Sequence, residues 1–264
     1  MGKIKTFLKY TKDFVAHGEF RYILSSVRYV LTGKTTRKTR FYKSSLGRFL
    51  VRKGTLDFQF ANYAYEWGVK KFVYEHLNNY NVFLDIGANI GTYSILFAKK
   101  GLRGYAFEPV VSNFDAFTTN LKLNNIEDKV TAFPFALGER KRKAGFTFDP
   151  INTGASHLTD NSDFLEETLS PEFVDVDVIP FDNILDELDI KNDDRIFIKI
   201  DVEGMEENVI KGAEKFIKSH PNLLFVIESV HSGKDNLTKL LNSFANFEIM
   251  EVDELNMGAK KINN

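Results

Sequence analysis

The chain has 264 residues, a hydrophobic fraction of 43% and a formal net charge of −1. This length allows one substantial core with an appendage. The absence of cysteine excludes disulfides, thiolate zinc sites and cysteine nucleophiles. Because no run approaches the ~20 consecutive apolar residues that span a bilayer, and no secretory signal is evident at the N-terminus, we expect a cytoplasmic protein.

The N-terminal part differs from the rest in charge. Residues 1–53 hold 14 Lys and Arg against two acidic residues, Asp13 and Glu19. The apolar spacing from Gly2 to Thr32 predicts one or two amphipathic helices, and the Thr-, Lys- and Arg-rich stretch from Gly33 to Lys43 predicts a solvated linker. We therefore predict a basic, helical segment over residues 1–44 and a catalytic domain over residues 45–264.

Three roles are compatible with the basic segment. It could pack on the domain as a helical cap with solvated lysines, lie peripherally on the inner membrane surface, or bind an acidic or nucleic-acid acceptor. We favour the cap, and nucleic acid ranks last.

Strand-like and helix-like segments alternate after this part. Residues 49–60 suggest strands around Lys53-Gly54, and Tyr63 to Leu77 suggests a helix. The later predicted strands are Val82–Ile86, Tyr105–Glu108, Val130–Ala136, Val174–Ile179, Ile196–Val202, Leu223–Glu228 and Phe247–Val252. The predicted helices between and after them are Gly91–Lys100, Ser112–Asn124, Phe181–Leu188, Met205–Ser219 and Lys234–Ala245.

This alternation predicts an α/β fold with a mostly parallel, seven-stranded sheet that is covered by helices on both faces. The fully apolar strands are expected at its centre. The polar stretch from Asp149 to Ser170 is predicted to be a long functional loop.

The segment Asp85-Ile-Gly87-Ala-Asn89-Ile-Gly91 predicts a ligand-binding turn. A strand ends there in a glycine-bearing turn that opens into a helix. Gly87 and Gly91 let the backbone approach a ligand, and the helix N-terminus offers free N–H groups. Asp85 is placed to hydrogen-bond an amino group or a bridging water. Asn89 stands where dinucleotide sites usually have a glycine, which disfavours a nicotinamide enzyme.

The next predicted strand ends in Glu108, 17 residues after Gly91. An acidic residue at this point is placed to accept hydrogen bonds from both hydroxyls of a ribose. The joint occurrence of the turn and Glu108 favours a nucleoside-containing cofactor over an ordinary structural turn.

Four elements resemble one known family. They are Asp85-Ile-Gly-Ala-Asn-Ile-Gly91, Ala106-Phe-Glu-Pro109, Ala136-Leu-Gly138 and Ile198-Lys-Ile-Asp-Val-Glu-Gly-Met-Glu206 followed by Gly212-Ala213. In order and spacing these are similar to the FkbM family of S-adenosylmethionine-dependent methyltransferases, over about Tyr65 to Ser229. The dipeptide Tyr65-Glu66 also resembles a short family element.

The resemblance implies a Rossmann-like class I methyltransferase fold that acts mainly by O-methylation, often on sugars. It also implies S-adenosyl-L-methionine as the cofactor, with Pro109 and Ala136 joining the turn residues and Glu108 in its site. The sequence departs from the family at Met205, where alanine is usual, and at Glu228-Ser-Val-His231, which is one residue longer than the family's acid–x–His pair.

The reacting end of the site is predicted at the carboxyl end of the strand Ile196–Val202. Lys199, Asp201 and Glu203 alternate along one strand and its exit, so they share a face at the carboxyl edge where open α/β sheets bind ligands. Asp201 is our first candidate for general base or ligand of the acceptor hydroxyl, with Glu203 beside it. Glu228 ends the following strand, and Asp201 with Glu228 could bind Mg²⁺ or another hard cation. The structural alternative is a buried Lys199–Asp201 pair.

Three further residues are candidates for acceptor binding: Thr153 and Ser156 in the long polar loop, and His231 after the last central strand. The favoured function is O-methylation of a saccharide hydroxyl, in a surface glycan or a glycosylated metabolite. Methylation of RNA or of a small lipid-like metabolite, and a non-catalytic cofactor-binding module, are the alternatives.

Overall fold

A computed structural model describes residues 11–12, 14–149, 151, 157–158 and 172–262. Its centre is a seven-stranded sheet. The strands are β3 (Val82–Ile86), β4 (Arg103–Phe107), β5 (Val130–Phe133), β10 (Ile196–Ile200), β11 (Leu223–Glu228), β12 (Phe247–Glu251) and β13 (Asn256–Lys261). They lie in the order β5–β4–β3–β10–β11–β13–β12, and all run parallel except β13, which is antiparallel to both of its neighbours.

Helices cover both faces of this sheet. One face carries α3 (Trp67–His76), α4 (Thr92–Lys99) and α5 (Val111–Asn124); the other carries α6 (Glu206–Lys211), α7 (Glu214–Ser219) and α8 (Lys234–Phe244). Alternate residues of β10 enter the two cores: Phe197 packs with the first set of helices, whereas Ile196 and Ile198 pack with the second. The continuous apolar strands are therefore explained by burial on both sides. The predicted Rossmann-like class I fold is confirmed.

One predicted strand belongs to a different sheet. Val174–Ile179 was expected among the seven, but it lies in β9 (Glu172–Ile179) of a second, four-stranded sheet. There β9 pairs with β6 (Ala136–Leu137) and β7 (Arg142–Phe148), and β7 also pairs with β8 (His157–Leu158), which gives the order β6–β9–β7–β8. The seventh strand of the main sheet is β13, which the sequence analysis missed because its Gly and Lys content gives no strand-like pattern.

Two predicted helices and one predicted strand are interrupted. The expected helix Met205–Ser219 is split into α6 and α7, because the carboxylate of Asp182 accepts hydrogen bonds from the Lys215 and Phe216 N–H groups and so caps a new helix. The expected helix over residues 181–188 consists of two 3₁₀ turns, Phe181–Asn183 and Leu185–Glu187. The strand expected over residues 130–136 is divided into β5 and β6.

The N-terminal part packs on the domain. It contains α1 (Phe20–Thr32), the hairpin of β1 (Arg40–Lys43) with β2 (Arg48–Val51), and the short helix α2 (Asp57–Phe60). The prediction of a linker over residues 33–43 is wrong for residues 40–43, because these residues form β1. The two strands that were expected around Lys53-Gly54 lie earlier in the chain, at residues 40–43 and 48–51. Residues 1–10 lie outside the described part. The division at residue 44 stays a prediction, with β1 and β2 paired across it.

Candidate functional site

A cleft opens at the carboxyl edge of the central strands, where β3, β4 and β10 end. It encloses about 1200 Å³ up to its open mouth. The predicted site residues that line it are Gly87, Asn89, Glu108, Pro109, Ala136, Lys199, Asp201, Glu203 and Glu228. The structure thus gathers most of the sequence-predicted residues around one space, as expected for an open α/β sheet.

The turn after β3 lies directly against the loop after β10. Gly87 has a φ of 85°, and a Cβ atom added there would be 1.9 Å from the carbonyl oxygen of Asp201. The N–H of Asp201 in turn donates to the carbonyl of Ile86 over 3.0 Å. Only glycine permits this contact, so Gly87 fixes the distance between the turn and the β10 loop.

Two of the predicted turn residues, Asp85 and Gly91, do not line the cleft but support the backbone that forms it. Asp85 is buried, and its Oδ2 accepts hydrogen bonds from the N–H and hydroxyl of Ser94, at 2.9 and 2.6 Å. Its buried Oδ1 has no hydrogen-bond partner among the described residues. Gly91, with a φ of 84°, allows α4 to approach Phe117 of α5, whose Cδ2 would lie 2.2 Å from an added Cβ.

Glu108 is held rigidly at one end of the cleft. Its two carboxylate oxygens accept hydrogen bonds from the backbone N–H groups of Asn89, at 2.8 Å, and Val110, at 2.9 Å. Burial raises the pKa of Glu108 to about 7, although these N–H groups, Asn113 and the charge of Arg52 oppose the shift. The carboxylate is therefore pre-positioned and has free acceptor capacity toward the cleft.

The other end of the cleft contains an ion pair. The Lys199 ammonium lies 2.7 Å from Asp201 Oδ2. Burial disfavours the charge on Lys199, but attraction by Asp201, Glu66 and Asp85 outweighs burial and raises its pKa above the usual range. The predicted shared face of Lys199 and Asp201 is confirmed by this contact.

Glu203, Glu228 and His231 form a second group of ionisable side chains. Glu203 Oε2 lies 3.3 Å from His231 Nε2, and one ligand-type atom from each of the three residues lies within 4.8 Å of the others. Burial and neighbouring carboxylates raise the pKa of Glu203 to about 7 and that of Glu228 to about 10. The buried Glu228 Oε2 has no hydrogen-bond partner among the described residues. Burial is the largest cause of both raised pKa values, and repulsion by the Asp201 carboxylate, which lies near both acids, adds to it.

Sequence reasoning did not assign a role to the side chains that α3 and α4 bring to the cleft. Glu66 begins α3 with a φ of 52° and accepts a hydrogen bond from the Tyr93 hydroxyl over 2.8 Å. The Tyr93 ring also faces two cations, Lys199 at 4.6 Å and Lys70 at 5.2 Å from its centroid. Lys70 is buried, donates to the Tyr65 carbonyl, and has a pKa lowered to about 8 by burial and by the charge of Lys199.

A left-handed backbone at a glutamate is uncommon and costs of order 1 kcal/mol. The Glu66 side chain does not cap α3. Its carboxylate therefore lines the cleft rather than accepting a hydrogen bond from the helix end. The dipeptide Tyr65-Glu66 was the only sequence signal for it. Of the predicted acceptor residues, His231 lies beside Glu203, whereas Thr153 and Ser156 lie outside the described residues.

Comparisons with known proteins identify the family of the chain. The methyltransferase FkbM domain matches residues 85–255. Hexuronic acid methyltransferase AglP of Haloferax volcanii is 27% identical over 199 residues, which cover 74% of this chain and 75% of that protein. Methyltransferase 1 of Beauveria bassiana is 29% identical over 146 residues, or 50% of this chain and 57% of that protein.

Among solved structures, the M. jannaschii tRNA m1G37 methyltransferase superposes with a TM-score of 0.45 and 16% identity, over 86% of this chain and 58% of that one. The family match covers well over half of the chain and includes both ends of the cleft, from Asp85 through Asp201 to Glu228. The chain therefore belongs to the FkbM family of S-adenosylmethionine-dependent methyltransferases.

Proposed function

We propose that this protein transfers the methyl group of S-adenosylmethionine to a hydroxyl group of a saccharide. The observation that carries the proposal is the convergence of Asp201, Glu203 and Glu228 in the same cleft as Glu108. Carboxylates suit hydroxyl acceptors, because they accept hydrogen bonds from sugar hydroxyls and can take up the proton that an attacking oxygen loses.

The residues at the Glu108 end fit the cofactor. Glu108 offers acceptor oxygens for the two ribose hydroxyls, and its carboxylate is held in place by the backbone N–H groups of Asn89 and Val110. Phe107, Pro109 and Leu137 supply apolar surface for an adenine ring nearby. When bound there, S-adenosylmethionine supplies an electrophilic methyl group on a sulfonium.

The protein's part of the reaction is alignment and proton transfer. With the methyl donor bound, the cleft residues would hold the acceptor hydroxyl toward the methyl group, and a carboxylate would take up the proton that the hydroxyl loses. Asp201 is the first candidate, because the Lys199 ammonium at 2.7 Å fixes its position. Glu203, with a pKa of about 7, is the second. Glu228 is protonated at neutral pH, since its pKa is about 10, and so it acts as a hydrogen-bond donor.

The choice of a saccharide is supported by the relative named hexuronic acid methyltransferase. The excess of carboxylates in this cleft favours a neutral, hydroxyl-rich face of the acceptor over an anionic one, because two anions at close range repel. We therefore expect a neutral hexose to be methylated faster than its uronic acid unless a cation intervenes.

A divalent cation is a separate proposal. The sequence analysis paired Asp201 with Glu228, whereas the geometry favours Glu203, Glu228 and His231. A cation there would relieve the repulsion that raises the pKa of Glu228, and carboxylate oxygens are suitable ligands for Mg²⁺. Thermal unfolding with Mg²⁺ and with EDTA tests this: equal midpoints for the wild type would exclude a resident ion.

The main test combines binding with product analysis. Calorimetric titration with S-adenosylhomocysteine should show saturable binding, and NAD and NADP should show none. The protein is then incubated with S-adenosylmethionine and neutral hexosides, uronic acids, RNA or lipid alcohols, and the product is analysed by NMR. An O-methyl sugar is expected. Cofactor binding with methylation of RNA or a lipid alone would overturn the saccharide assignment, and binding of NAD alone would overturn the cofactor.

A further inference from the structure

The outer face of α1 is apolar and is left uncovered by the other residues that the structure describes. Phe20, Leu24 and Leu31 are 59%, 76% and 77% exposed. Their spacing places all three on one side of the helix. The opposite side holds α1 on the domain, because Ile23 and Tyr29 pack against the core. The helix is thus anchored by one face and presents a second apolar face to its surroundings.

The apolar face continues onto the hairpin. Phe20 and Phe41 line a common groove together with the basic residues Arg40 and Lys43. Phe41 is 71% exposed. Single exposed apolar side chains are normal on a protein surface, but a contiguous group of large ones marks an interaction surface.

Charge identifies the kind of partner. Residues 20–53 contain ten basic residues and no acidic residue. Exposed cations follow α1 along the chain at Lys34, Arg37, Lys38, Arg40 and Lys43, and the last two line the groove with Phe20. A partner that fits must offer both negative charge and an apolar interior.

We propose that the outer face of α1 and the β1–β2 hairpin bind the surface of an anionic phospholipid bilayer. With 13 residues, α1 is about 20 Å long, which is less than the ~30 Å hydrocarbon core, so the helix lies in the plane of the interface. No helix in the described part of the chain is long and apolar enough to span a bilayer. Phe20, Leu24 and Leu31 enter the acyl boundary, and the basic side chains contact lipid phosphates.

Two other occupants fit less well. A second copy of this chain would bring the same ten basic residues together, and like charges repel. A nucleic acid would neutralise the cations but would leave Leu24 and Leu31 without an apolar partner. An anionic membrane supplies both the negative charge and the apolar interior. The proposal does not depend on which acceptor the protein methylates.

The test is flotation of the full-length protein with phosphatidylcholine vesicles that contain or lack phosphatidylserine. Binding to the anionic vesicles is expected, with weakening at high salt. The double variant Leu24→Ser with Leu31→Ser should lower the partition coefficient at least ~tenfold, because each leucine loses its burial in the acyl boundary. The matched control is Phe173→Ser, which removes a 66% exposed aromatic ring from β9 and should bind like the wild type.

A second double variant, Arg40→Gln with Lys43→Gln, should reduce binding and flatten its salt dependence. Circular dichroism and thermal unfolding check that each variant is folded. The proposal is overturned if the wild type does not bind anionic vesicles at low salt, or if the variant Leu24→Ser with Leu31→Ser binds them as strongly as the wild type does. It is also overturned if that variant abolishes a dimer seen by ultracentrifugation while vesicle binding persists.

Discussion

Glu108→Gln is the most direct perturbation of the proposed cofactor site. The wild-type carboxylate is pre-positioned by two backbone N–H donors and can accept bonds from both ribose hydroxyls. A hydrogen bond to a charged group contributes about 1.5–3 kcal/mol. Glutamine retains one acceptor and loses the charge, so we expect S-adenosylhomocysteine to bind ~10- to 100-fold more weakly.

The pKa of Glu108 predicts a pH dependence of cofactor affinity that a general loss of folding would not produce. With a pKa of about 7, the side chain gains its negative charge as pH rises through neutrality. Ribose hydroxyls are donors and prefer the ionised form, so wild-type affinity should rise by about tenfold between about pH 6 and pH 8 and then level off. The Glu108→Gln variant should bind weakly at every pH, without this rise.

Isothermal titration calorimetry across this pH range is the assay, and Glu127→Gln, at an exposed glutamate after α5, is the matched control. Wild-type affinity in Glu108→Gln would refute the ribose assignment. If the variant instead kept the pH dependence, the titrating group would be Glu203, whose pKa is also about 7.

Three other substitutions test the remaining parts of the cleft. Asp201→Asn should lower kcat by about 10²- to 10⁴-fold, as for loss of a general base, while S-adenosylhomocysteine affinity stays within about threefold; full turnover would make Asp201 structural. We expect Glu66 to hold the ammonium group of the cofactor's amino-acid end. Glu66→Gln should therefore lower the affinity for S-adenosylhomocysteine about tenfold and leave the affinity for methylthioadenosine, which lacks that end, unchanged. Equal losses of affinity for the two ligands would contradict this role. Glu228 has a folded-state pKa raised from 4.5 to about 10, so its favourable contribution is complete below about pH 4.5 and is lost as pH rises toward 10. Glu228→Gln should therefore be more stable than the wild type by about 3 kcal/mol near neutral pH in EDTA, with a smaller gain near pH 5, as urea unfolding would show.

The sequence predicts the parts of the fold that follow a strong local period. Continuous apolar strands such as β3 and β10 were located to within about two residues because burial on both faces requires an uninterrupted apolar run. The pattern of β9 is equally clear, but periodicity does not specify which sheet a strand joins. In β13, only Met257 and Ala259 are buried apolar residues, so its position depends on pairing with β11 and β12 rather than on a local signal.

In the candidate site, too, some contacts follow from local sequence geometry and others depend on tertiary packing. Lys199 and Asp201 were predicted to meet because strand geometry places alternate residues on one face. Glu66 and Tyr93 come together only when α3 and α4 pack on the sheet, and no spacing in the sequence indicates a contact across 27 residues. Gly91 was predicted to face the ligand, but its missing Cβ makes room for Phe117 instead, since a glycine signal does not reveal which neighbour requires the space.

The charge balance of the cleft supports a cationic ligand on physical grounds. Five side-chain carboxyl groups line the cleft, those of Glu66, Glu108, Asp201, Glu203 and Glu228, and Lys199 is the one ammonium group among the described lining residues. Burial is the largest cause of the raised pKa values of Glu66 and Glu228, and repulsion by the Asp201 carboxylate adds to it. A sulfonium entering the cleft reduces this repulsion, and loss of the methyl group removes its positive charge. The same excess of carboxylates that attracts the methyl donor therefore weakens its hold on the neutral thioether product, which favours release after each transfer.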